Sequence, residues 1–166
     1  MRLRLRNITA ITTAGLVVLG ASATRTSAAT STANLNVSVT VVNNCTISTT
    51  PLAFGTYDTL SSADTDATGT VEITCTQGAT ATIGLDLGAN ASASTRRMKD
   101  ATTNHLTYEI YNESTRTTIW NATNVVNAGS APSNAPRSFT AYGRIAGAQS
   151  VPAGSYSDTV VATVDF

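Results

Sequence analysis

Beyond its first thirty residues, this chain repeatedly places apolar side chains at every second position, and no window of helical length shows an apolar period of 3.6 residues. A chain patterned in this way buries its apolar faces by forming strands, so the fold class read from it is all-β. Leu35, Val37, Val39 and Val41 alternate with Asn36, Ser38, Thr40 and Val42, which predicts a half-buried strand. Val71, Ile73 and Cys75 point one way while Thr70, Glu72 and Thr74 point the other, and Ala81, Ile83, Leu85 and Leu87 repeat the pattern. Further strands are expected over 45–48, 52–55, 106–110, 118–120 and 139–145, with polar loops at Ser61 to Thr68 and Asn121 to Pro136. After a turn at Pro152-Ala153-Gly154, Tyr156, Val160, Ala162, Val164 and Phe166 line one face of a closing strand. Several short strands separated by turn signals predict an immunoglobulin-like β-sandwich.

Two stretches fit a self-contained sandwich poorly. The closing strand stays apolar to Phe166, and the first apolar strand lies just ahead of Cys45, with only Val42, Asn43 and Asn44 between them. A sheet edge has to be paired, covered or charged, and a long apolar strand with a free side invites another strand to add there. The expectation is a domain that lends one strand and lacks another.

The N-terminus has the three-part layout of a secretory signal peptide: basic Arg2, Arg4 and Arg6, a mostly apolar run from Ile8 to Gly20, then small residues. The run is too short and too often interrupted by Thr and Gly to span a bilayer. Cleavage is expected after Ala29, with Ala23 as the alternative, so residues 1–29 are assigned to the signal and the chain is expected to be exported. In an oxidising compartment the only two thiols, Cys45 and Cys75, are expected to form a disulfide, the alternative being two free buried cysteines. A closed loop of that size removes unfolded-state entropy worth about 3.5 kcal/mol.

Taken in order along the chain, several runs resemble the spore coat protein U domain family. They are Asn44-Cys45-Thr46-Ile47, Pro51-Leu52-Ala53-Phe54-Gly55-Thr56-Tyr57, Ile73-Thr74-Cys75-Thr76, Arg96-Arg97-Met98, Leu106-Thr107-Tyr108, Tyr142-Gly143-Arg144-Ile145, and the run from Val151 to Val160. The family includes subunits of archaic, Csu-type chaperone-usher pili. The resemblance implies a pilin-type sandwich lacking its last strand and completed by donor-strand complementation, a form of β-augmentation. It implies that residues 30–43 form a donor segment, with Leu35, Val37, Val39 and Val41 as the inserted side chains, ahead of a domain over 44–166. It further implies that Tyr156, Val160, Ala162, Val164 and Phe166 form the groove-edge, chaperone-binding strand, with the Phe166 carboxylate held by the chaperone. The implied partners are copies of the chain or related subunits, a periplasmic chaperone and an outer-membrane usher, and the implied location is a cell-surface fibre.

Composition sets the competing readings aside. Charged residues are 12% of the chain, and four of its ten basic residues, Arg2, Arg4, Arg6 and Arg25, lie in the N-terminal segment, leaving six against ten acidic ones. No basic surface remains to grip nucleic acid. One histidine, His105, and two cysteines do not build a zinc site, no phosphate-binding loop is present, and neither cofactor nor small-molecule substrate is expected. Asp64 and Asp66 read as loop carboxylates, Arg96, Arg97 and Lys99 as a solvated strand end, and Trp120 and Tyr142 as core aromatics or a sugar-stacking pair. The chain is therefore read as a non-enzyme, a fibre subunit supporting adhesion or biofilm formation, with a self-sufficient secreted spore-coat or glycan-binding module as the alternative.

Overall fold

The computed structural model describes residues 25–166. The signal-peptide reading of residues 1–24 lies outside these. The chain divides after Val39. Residues 25–39 carry no regular secondary structure, and Leu35, Val37 and Val39 each leave 87–88% of their surface exposed. The strand expected over 35–41 is thus an unladdered segment. Alternation signals the capacity to pair, and among the described residues no strand pairs with it.

From Thr40 onward, eight strands form two antiparallel sheets. They are β1 (Cys45–Thr50), β2 (Thr65–Cys75), β3 (Thr80–Leu85), β4 (Arg96–Lys99), β5 (His105–Tyr111), β6 (Val126–Ser130), β7 (Arg137–Ile145) and β8 (Ala162–Asp165). The larger sheet runs β1-β2-β7-β5-β4 and the smaller β6-β3-β8. Inward residues at every second position make the core: Val71, Ile73 and Cys75 of β2, Ala81, Ile83 and Leu85 of β3, Leu106, Tyr108 and Ile110 of β5, and Ala141 and Ile145 of β7. Trp120 is fully buried among them, and its indole N–H donates to the Ile83 carbonyl at 2.8 Å. Cys45 stands directly opposite Cys75 in the β1–β2 register, and the two form the expected disulfide.

Several boundaries differ from the sequence expectation. β2 starts at Thr65, inside the expected loop, because Ala67 and Gly69 are too small to signal the alternation that the β7 register continues. β6 lies within the loop expected over 121–136; after Val126, the residues Asn127, Ala128, Gly129 and Ser130 have little strand propensity, and pairing with β3 decides their conformation. β4 stands where only a solvated strand end was expected. Its first residue, Arg96, is fully buried, whereas Arg97 and Lys99 are half-buried, so the solvated reading fails for Arg96. The closing strand is laddered only over Ala162–Asp165, preceded by an isolated bridge from Ser157 to Lys99. Residues 52–55 form no ladder, and the short strand expected at 118–120 is reduced to a bridge between Tyr111 and Ile119.

Candidate functional site

The site grows from the point where β1 ends. Pro51 has no N–H to donate to the ladder, and beside it the Thr70 amide donates to the Thr50 hydroxyl at 2.9 Å. The chain then leaves the edge of β2 and crosses the inner face of the larger sheet, where Leu52 and Phe54 settle over Gly69 and Gly143. A Cβ at Gly143 would lie 2.6 Å from Leu52 Cδ2 and 2.8 Å from Phe54 Cζ, and one at Gly69 would lie 3.0 Å from Leu52 Cβ. The glycines create the space for this crossing. Tyr57 ends it, donating to the Ala146 carbonyl and accepting from the Gln149 amide, each at 2.9 Å.

A second segment, residues 151–160, runs along the other side. The Tyr156 hydroxyl closes the Pro152 turn by donating to the Pro152 carbonyl at 2.9 Å. Ser157 exchanges two backbone hydrogen bonds with Lys99 of the larger sheet, whereas the Thr159 and Val161 carbonyls accept from the Ala89 and Asp86 amides beyond β3. The segment therefore crosses from one sheet to the other before joining β8. Asp158 fixes it midway, accepting from the Tyr108 hydroxyl at 2.7 Å and from the Asn90 backbone and side-chain amides at 3.1 and 3.0 Å. Burial, reinforced by Asp158, pushes the Tyr108 hydroxyl well above its ordinary pKa, so it stays a neutral donor.

Between these two walls lies a cavity of about 980 Å³ whose floor is made by core side chains including Val71, Leu85, Met98, Leu106, Tyr108 and Ile145. Of the residues lining it, only Asp58 and Asp158 carry charge. Among the described residues, neither 51–57 nor 150–156 makes a backbone–backbone hydrogen bond. An apolar slot flanked by two stretches of unpaired main chain has the complementarity of a missing strand: side chains inward, backbone to the sides. No catalytic constellation accompanies it, and among the described residues no group of three or more His, Cys, Asp or Glu is placed to hold a metal.

The residues expected at the groove edge are divided by the structure. Tyr156, Val160 and Ala162 line the cavity; Val164 packs into the core opposite Ile83, and Phe166, 54% exposed, lies beyond the end of β8. Val41 is 78% exposed, in keeping with the exposure of Leu35, Val37 and Val39. The first wall and Tyr108 are missing from the expected site; Pro51, which stops a ladder, was the available signal for the wall. Asp64 and Asp66 are not free loop carboxylates. Asp66 faces Arg144 across the β2–β7 register, and its two oxygens accept from that guanidinium at 2.8 and 2.9 Å, which holds its carboxyl below the usual range. Arg116 approaches the same carboxylate at 3.3 Å and stacks over Tyr142, so Tyr142 is not a core aromatic.

The Spore Coat Protein U domain model matches residues 31–163. The chain is 37% identical over 155 residues to Protein U of Myxococcus xanthus, covering 84% of this chain and 87% of that protein. Among solved structures, it superposes with a TM-score of 0.60 on a chain of the CsuC–CsuE chaperone-tip adhesion subunit pre-assembly complex, from archaic chaperone-usher Csu pili of Acinetobacter baumannii. That likeness, at 23% identity, concerns the fold; it takes in 76% of this chain and spans 40% of the length of the other.

Proposed function

Because the chain belongs to the Spore Coat Protein U domain family, we propose that it is an exported structural subunit of a surface fibre, assembled when the 34–42 segment of one copy fills the cavity of the next. The observation that carries this reading is the pairing of a strand-shaped vacancy with a strand-patterned segment. The cavity has apolar depth and unpaired backbone on both sides, and the exposed segment offers four apolar side chains on one face. Nine extended residues reach about 30 Å, and four such side chains removed from water contribute about 6 to 12 kcal/mol before ordering costs. Pairing with the walls adds the main-chain hydrogen bonds characteristic of β-augmentation.

A subunit with an unfilled cavity needs temporary cover on its way to the surface. A periplasmic chaperone supplying a strand, and an outer-membrane usher that exchanges it for the donor, are the partners this architecture requires; adhesion or biofilm formation is the role such a fibre would serve. Electron microscopy of cells with and without the protein tests the reading, with surface fibres expected only when it is present. The family's description as a spore-coat domain favours a second reading, a secreted coat component that folds alone. It requires a stable monomer without chaperone or donor, and size-exclusion chromatography of the purified chain separates the two.

A further inference from the structure

We propose that Tyr108 is a positioning residue of the groove, a floor side chain on which both walls rest. This inference rests on the reading of the cavity as a strand acceptor and adds what sets its width. Tyr108 rises from β5 into the cavity floor. From the first wall, Phe54 meets its ring edge-on, with centroids 6.1 Å apart and planes at 69°. From the second wall, Asp158 Oδ2 accepts the Tyr108 hydroxyl at 2.7 Å, while Asp158 Oδ1 is held by both Asn90 donors. A Cβ at Gly88 would sit 2.0 Å from Asp158 Oδ2, so the carboxylate reaches this position only beside a glycine.

The consequence follows from what the walls lack. Backbone hydrogen bonds at Ser157, Thr159 and Val161 pin the far half of the second wall, whereas 51–57 and 150–156 have none, so side-chain contacts complete the positioning, and two of these converge on one ring. A strand that pairs on both sides needs neighbours two strand spacings apart, about 9.5 Å. Tyr108 holds one wall through dispersion and the other through a charge-assisted hydrogen bond. The second contact tethers the segment at the position where it crosses between sheets.

The test saturates the full chain with a fluorescently labelled synthetic peptide of residues 33–43 and follows its release on chase with unlabelled peptide. Tyr108→Phe keeps the ring and the Phe54 contact and removes only the hydroxyl; Asp158→Asn keeps the shape and removes the charge. Each variant should release the peptide about tenfold faster than the unaltered protein, the scale of one hydrogen bond to a charged group. The double variant should be no faster than either single one, because both remove the same contact. Ile73→Val, a core trim on β2, should leave release unchanged, which separates positioning from general loosening. Unchanged release from both single variants, or fully additive effects in the double one, would overturn the role of Tyr108. Failure of the unaltered protein to capture the peptide would instead overturn the strand-acceptor reading itself and the inference with it. Should Tyr108→Phe not be recovered folded, Asp158→Asn and its release rate carry the test.

Discussion

Arg96 shows how much one side chain organises here. It is fully buried, pairs with Glu109 at 3.3 Å, and donates to the Asp86 carbonyl at 2.6 and 3.1 Å and to the Trp120 carbonyl at 2.7 Å. It thereby ties β4 and β5 to the segments leaving β3 and carrying Trp120. Arg96→Ala should cost about 3 to 5 kcal/mol, since it leaves a carboxylate and two carbonyls without their donor; urea denaturation of the disulfide-intact protein measures it. Gly143 is the converse case. Gly143→Ala places a methyl against Leu52 and Phe54 and should cost about 1 to 3 kcal/mol, read by the same titration. Neither role was legible in the sequence. An arginine beside Arg97 and Lys99 looks like surface, and a glycine between Tyr142 and Arg144 looks like any strand glycine, because the partners that decide both come from distant parts of the chain. The cysteine pair was legible, since two thiols in a chain expected to be exported leave one pairing to make.

At the scale of elements, alternation located the central strands and missed two of the four edges, β4 and β6. β2, β3, β5 and β7 have a buried face rich enough in Val, Ile and Leu to write their period into the sequence. β4 and β6 are formed by a neighbour's edge rather than by their own composition. The groove was half legible: its second wall carries the alternating Val160 and Ala162, whereas Pro51 to Tyr57 form no ladder and declare their place only through the two glycines beneath them.

The β4–β5 hairpin allows a prediction of sign. Asp100 accepts from the Asn104 side chain at 2.7 Å, from the Thr102 hydroxyl and amide at 2.8 Å, and from the Asn104 amide at 3.0 Å. These donors, the Asn104 side chain first, hold its carboxyl at about 2 against an ordinary 3.8. A depressed folded-state pKa stabilises above the unfolded value, so the contribution is complete above about 3.8 and is lost as the pH falls toward 2. Amide signals of residues 100–104 should shift in that window, and Asp100→Asn should abolish the dependence.

At the scale of the molecule, residues from Thr40 onward form a sandwich one strand short, and a strand-patterned segment precedes the first cysteine in the sequence. The core of the sandwich takes in Trp120 and its ion pairs take in Arg116 from the loops as well as residues of the eight strands, and what remains open is the cavity between the two walls. Val39→Asp should leave that body intact and remove its capacity to fill another: sedimentation of the variant alone should show no fibres, while its cavity still accepts a peptide of residues 33–43. A carboxylate in the apolar slot would cost several kcal/mol, enough to cancel much of the gain from the other three side chains.

Pairing of the backbone left open in one copy by residues 34–42 of another would be read out by amide hydrogen exchange on the full chain, monomeric and assembled. Residues 34–42 and 150–156 should exchange freely in the monomer and become protected together on assembly, while β2 and β7 are protected in both. A monomer that already protects both segments, or an assembly that leaves both exposed, would contradict that pairing.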